Sequence, residues 1–193
     1  MKEGNTREEH DFNPKDFEPG RIHRIGKRHT MFGSDMTPAI ALWNPKYPHN
    51  VGAAVRAASC FGAKAVIFSG NRIPTDGGDN KKYRLPREER MKGYHDVTII
   101  NDDYFFNRFD ENVIPVAVEV RQNSESLPLF VHPEKPLYVF GPEDGSLPQT
   151  VLRHCQRFVV IPSKHCLNLG NAVNVILYDR IYKMGIISGD HIG

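Results

Sequence analysis

The chain has 193 residues, of which 39% are hydrophobic and 25% charged, a composition able to bury one domain's core and one that excludes disorder throughout. Twenty-five Lys and Arg against twenty-three Asp and Glu leave a net charge of +2, so the whole-chain charge implies no strong polyanion partner and any nucleic-acid surface must be a local patch. No stretch approaches the ~18–20 consecutive apolar residues of a membrane span and the N-terminus lacks a signal-peptide apolar core, so a cytoplasmic protein without a membrane partner is expected.

In chain order, residues 1–35 differ from the rest. The first twenty hold six acids and three bases, with little apolar apart from Phe12 and Phe17, which predicts a mobile extension. Arg21, Arg24, Lys27 and Arg28 then fall within nine residues that contain no acid. They form a candidate phosphate-contacting arm, the alternative being a solvated linker. Residues 36–193 read as one regular domain. The apolar run 39–43, closed by Asn44-Pro45, reads as a strand. Asn50 can cap the segment VGAAVRAASCFG, whose Ala and Val recur at helical spacing up to Gly62. Further strands are expected at 64–69, 97–100, 113–120, 137–140 and 158–161, with helices at about 102–111, 147–155 and 171–184. Strands alternating with helices predict an α/β fold, a mostly parallel sheet covered by helices on both faces.

Several chemistries lose their usual signal. The sequence contains no G-x-G-x-x-G, G-x-x-x-x-G-K-[ST], H-E-x-x-H or G-x-S-x-G, which argues against dinucleotide binding, P-loop hydrolysis, zinc proteolysis and the serine-hydrolase elbow. Cys60, Cys155 and Cys166 are an odd, widely spaced set, better read as reduced thiols than as a disulfide framework. The pairs His154-Cys155 and His165-Cys166 lack the close ligand spacing of zinc knuckles, so no metal is expected.

Three segments carry more. In PHNVGAAVRAA the small residues Gly52, Ala53 and Ala54 would let a helix start pack closely, with Asn50 and Arg56 able to converge on one ligand; as an ordinary cap and a surface charge they would do nothing further. LYVFGPEDGSLP ends a strand in a turn with two glycines, two prolines and the acids Glu143 and Asp144. That is where open α/β sheets bind ligands, although an ordinary turn would look the same. VVIPSKHCLNLGNAV leaves a strand and enters the final helix, and the concentration of Asn168, Asn171 and Asn174 near a helix start suggests caps, ligand contacts or both.

Together and in this order, N-V-G-A-A-V-R, F-G-P-E-D-G-S-L-P and I-P-S-K-H-C-L-N-L-G-N-A-V-N-V-I-L-Y-D resemble the three motifs of the SpoU (TrmH-type) RNA 2'-O-methyltransferases of the SPOUT class. The likeness covers about residues 38–186 and is greatest to the compact tRNA wobble-position enzymes. It implies a C-terminal trefoil knot that binds S-adenosylmethionine and a homodimer in which both subunits build the site. Through the same resemblance Asn50, Arg56, Glu143 and Asn168 would be catalytic or substrate-orienting. Phe140, Gly141, Ile161, Cys166 and Leu167 would hold the cofactor. The third motif departs from the family's usual form at Cys166 and Gly170, where relatives often carry serine.

Methyl transfer to a ribose hydroxyl requires alignment of donor and acceptor and removal of a proton. Because an Arg side chain keeps its proton above pH ~12, Arg56 suits stabilisation of a developing alkoxide better than base catalysis. Residues 81–92, KKYRLPREERMK, hold six bases and two acids around Tyr83. Lys81, Lys82 and Arg84 join the arm at 21–29 as candidate RNA contacts. The expected function is an S-adenosylmethionine-dependent RNA ribose methyltransferase acting on tRNA. The alternatives are an rRNA enzyme, a silent RNA-binding module on the same fold, and an unrelated nucleotide-binding α/β protein.

Overall fold

The computed structural model of the protein describes residues 22–24, 32–74, 76–77, 81–82 and 94–186. Its elements are β1 (Ile22–Arg24), β2 (Ala39–Leu42), α1 (Pro48–Phe61), β3 (Ala65–Phe68), β4 (Asp76–Gly77), β5 (Lys81–Lys82), β6 (Thr98–Asn101), β7 (Ile114–Val118), β8 (Glu125–Ser126), β9 (Pro136–Phe140), α2 (Gln149–Leu152), β10 (Arg157–Val160) and α3 (Leu169–Lys183). Eight strands form one sheet in the order β1-β6-β3-β2-β9-β7-β10-β8, and every pairing in it is parallel. β4 and β5 make a separate antiparallel pair.

Alternation along the strands sorts the core into two layers. Ile40, Leu42, Val66 and Phe68 pack with Val51 and Val55 of α1 and with Val173, Ile176 and Leu177 of α3. Ala39, Ala41, Ala65 and Ile67 face the other way, toward Phe105, Leu147 and Val151. Strands buried on both faces read as unbroken apolar runs, which is why the expected parallel architecture could be seen in the sequence.

Four expectations change. Residues 22–24, assigned to a mobile extension, form the edge strand β1 beside β6. Ile22 is buried there, as is Phe32 further along, so two isolated apolar side chains anchor a segment whose composition reads as solvated. α1 begins before Asn50: Tyr47 is its N-cap and Pro48 occupies the first turn, where a fixed φ and a missing N–H cost nothing. Asn50 is therefore a buried helical residue and not the cap.

The expected helix at 102–111 reduces to a 3-10 turn at Phe105–Arg108. Buried Asp102 accepts from the Tyr104 N–H at 2.9 Å and pairs with Arg108 at 2.8 Å, closing the chain on itself. The helix at 147–155 is the single turn α2, because the Gln156 N–H is drawn to the Pro115 carbonyl at 2.9 Å as β10 begins. The remaining helix ends follow expectation more closely. Gly62 caps α1 at φ 75°, a left-handed conformation that glycine adopts without strain. Asn168 caps α3, accepting from the Gly170 N–H at 2.9 Å.

Since all eight strands run the same way, the loops after β2, β3, β7, β9 and β10 gather along one rim of the sheet. Open α/β sheets bind ligands beyond these carboxyl ends. No helix among the described residues is long and apolar enough to cross a membrane.

Candidate active site

The rim is organised by a chain of side-chain amides. Asn168, at the start of α3, donates through Nδ2 to Asn50 Oδ1 at 2.9 Å. Asn50 in turn donates through its own Nδ2 to Glu143 Oε1 in a short hydrogen bond. Glu143 also accepts from the N–H groups of Lys46 at 2.7 Å and Tyr47 at 3.4 Å. Three sequence-distant loops thus share one polar spine at the N-terminal ends of α1 and α3. Burial works against the charge on Glu143, but the Asn50 amide and these main-chain donors hold its carboxyl below the usual range.

Next to the spine, Asp144 receives a forked pair of hydrogen bonds from Arg72, at 2.9 and 2.7 Å, and Lys46 Nζ lies 3.4 Å away. The Arg72 guanidinium holds the Asp144 carboxyl far below the ordinary carboxylate range. Arg72 also donates to the Asn44 carbonyl at 3.3 Å, so the loops after β2, β3 and β9 are tied together. The Tyr47 side chain and Asp144 keep the Lys46 ammonium charged above its ordinary range.

Beside Glu143 opens a cleft of about 200 Å³. All five sequence-assigned cofactor residues, Phe140, Gly141, Ile161, Cys166 and Leu167, line it. Glu119 lines it too and was not singled out from the sequence. Its carboxylate accepts from the Leu147 N–H at 2.9 Å and the Val120 N–H at 3.2 Å, which braces the end of β7 against the turn after β9. An acid that closes an apolar run at a strand's carboxyl end was the available signal. The lining includes the acidic residues Glu119 and Glu143 and, among the described residues, neither Lys nor Arg.

Of the four residues assigned to catalysis, Asn50, Glu143 and Asn168 come together and Arg56 does not join them. Arg56 lies exposed on α1, and among the described residues no hydrogen bond or ion pair holds its guanidinium. Arg21, Lys27, Arg28 and Arg84 fall outside the described residues, and for Arg24, Lys81 and Lys82 the backbone alone is described. Among the described residues no group of three or more His, Cys, Asp or Glu could hold a metal ion.

The chain matches the family model described as the SpoU rRNA Methylase family over residues 38–178. It is 29% identical, over 73% of its length, to the tRNA (cytidine-2'-O-)-methyltransferase TrmJ of Methanocaldococcus jannaschii, and the match spans 66% of that relative. To the tRNA (cytidine(34)-2'-O)-methyltransferase of Escherichia coli it is 23% identical, over 76% of this chain and 93% of the relative. Among solved structures, the AdoMet-bound rRNA methyltransferase from Sinorhizobium meliloti superposes with a TM-score of 0.63 at 21% identity, covering 83% of this chain and 62% of that one.

Proposed function

The chain belongs to the SpoU rRNA methylase family, and on that premise we propose that it is an S-adenosylmethionine-dependent RNA ribose 2'-O-methyltransferase acting on tRNA. The observation that carries the reading is a cleft lined by two acidic residues and no described Lys or Arg, opening beside the Asn50–Glu143–Asn168 spine. Such a lining suits a ligand bearing a sulfonium and an ammonium group. It does not suit ATP or NAD, whose phosphates call for cations or a glycine-rich cradle. Phe140, Gly141, Ile161, Cys166 and Leu167 would hold the adenosyl part, with Glu119 and Glu143 supplying the negative field.

When bound, S-adenosylmethionine supplies an electrophilic methyl group on sulfur. The protein's own contribution is alignment and charge compensation. Glu143 is held ionised with its oxygens already engaged by Lys46, Tyr47 and Asn50, so it orients the Asn50 amide and is a poor store for a proton. Asn168 fixes that amide from its other side. Arg56 positions the ribose or its phosphate and stabilises the 2'-oxygen while the hydroxyl proton passes to solvent water.

The homodimer implied by the motifs belongs to the same reading. Val175, Tyr178 and Tyr182 form a stripe on the outside of α3 and are 37%, 56% and 73% exposed, at a spacing that places them on one helix face. A second copy covering this stripe would bring a further chain close to α1, whose Arg56 has no hydrogen-bond or ion-pair partner among the described residues. The trefoil knot is part of the proposal too, supported by β9 lying between β2 and β7 while α3 returns to pack on α1.

The relatives named for tRNA favour tRNA as substrate; the family's description favours rRNA, and both present the same ribose. Calorimetric titration tests the cofactor half of the proposal. S-adenosylmethionine should bind, and ATP and NAD should give no heat. Binding of ATP in place of S-adenosylmethionine would overturn it.

A further inference from the structure

The segment Tyr47-Pro48-His49 enters α1 at the edge of the spine. Tyr47 has extended backbone angles, φ −119° and ψ 129°, the conformation imposed on a residue that precedes proline. Its N–H donates to Glu143 at 3.4 Å. With Pro48 fixing the helix start, the rings of Tyr47 and His49 stack at a centroid separation of 5.2 Å and an interplanar angle of 16°. Tyr47 is 42% exposed and His49 is exposed as well. Lys46 Nζ lies 5.3 Å from the Tyr47 ring centre.

The stacked pair is not part of either core layer. Two nearly parallel rings, open to solvent, stand beside the Lys46 ammonium, which also pairs with Asp144, on a segment whose main-chain N–H reaches Glu143; an unstacked nucleobase could lay its π-face on such rings with its phosphate near the ammonium. We propose that Tyr47 and His49 form a stacking platform for a nucleobase of the RNA substrate, placing the neighbouring ribose at the spine. This rests on the reading of the cleft and spine as an RNA methyl-transfer site.

Stacking on an aromatic side chain is worth enough that its removal weakens binding by about 5- to 150-fold. Stacking on a base releases no phosphate counterions, so the loss should be similar at every salt concentration, unlike the loss of a phosphate contact. The test compares the wild-type chain with Tyr47→Ala, Tyr47→Phe and His49→Ala, using an unmodified tRNA transcript and an rRNA fragment as probes.

The Ala variants should raise the Kd and KM for the RNA by that factor, with a parallel offset across salt. They should leave S-adenosylmethionine affinity near wild type, because neither ring lines the cofactor cleft. Tyr47→Phe should restore binding. A Tyr47→Ala variant that binds S-adenosylmethionine normally and keeps wild-type affinity for an RNA the wild type binds would overturn the platform alone. A wild-type chain that binds neither RNA would overturn the platform and the substrate reading together.

Discussion

Arg56 stands apart from Asn50, Glu143 and Asn168, and the proposed function gives it a part different from theirs. Those three engage one another and fix loop geometry; Arg56 is exposed and can meet a ribose or phosphate that arrives from outside the chain. Arg56→Ala should therefore lower methyl transfer by at least about 100-fold, the effect of losing one donor to developing negative charge. Cofactor affinity should stay within a few fold. A calorimetric titration paired with a single-turnover assay separates the two, and near-full turnover at saturating RNA would count against the role. Asn50, Glu143 and Asn168 were legible because each sits in a motif at a strand-to-helix junction. Arg72 was not: its partner Asp144 is 72 residues away, and nothing local in an irregular loop announces a pairing created only when parallel strands align their carboxyl ends.

At the scale of elements, the approach of α3 to α1 explains one departure from the family's motif. A Cβ added to Gly170 would lie 2.5 Å from the Ala53 Cβ, so glycine here answers to helix packing, and the small residues 52–54 noted in the sequence find their use. The C-terminal half of α3 is fastened differently. His132 bonds to the Tyr138 hydroxyl at 2.6 Å and to Asp179 Oδ2 at 2.8 Å, while Lys183 pairs with Asp179 at 2.7 Å.

Burial lowers the His132 pKa against the pull of Asp179, so the folded state favours the neutral ring. Its contribution to stability is present above the ordinary histidine value of about 6.5 and is lost as the pH falls through the lowered folded-state value. Denaturation followed across this range should show the wild type losing up to about 1.4 kcal/mol per pH unit more than His132→Gln. Equal slopes would mean that the ring takes up its proton over the same pH range in the folded and unfolded states, so that the fold does not favour its neutral form. No sequence pattern linked residues 132, 138, 179 and 183, which lie on a loop, a strand and a helix. The same limit applies to the short turns at 105–108 and 149–152. Their apolar residues have helical spacing, but Asp102 and the β10 register end them early.

For the molecule as a whole, the parallel sheet was legible because doubly buried strands are uniformly apolar. Its order was not, since β9 joins β2 and β7 across long sequence separations. The N-terminal arm also changes meaning: β1 completes the sheet edge, so deleting residues 1–30 would take away one of the two strands that flank β6 and leave it paired with β3 alone. The central claim is that the fold aligns a ribose hydroxyl with a methyl donor at one rim. The most direct measurement is transfer of labelled methyl from S-adenosylmethionine to unmodified tRNA and to rRNA, followed by mapping of the modified nucleoside. The account predicts label in tRNA, at the 2'-oxygen of a ribose, abolished in Arg56→Ala. Label on a base, or none in either RNA despite cofactor binding, would contradict it.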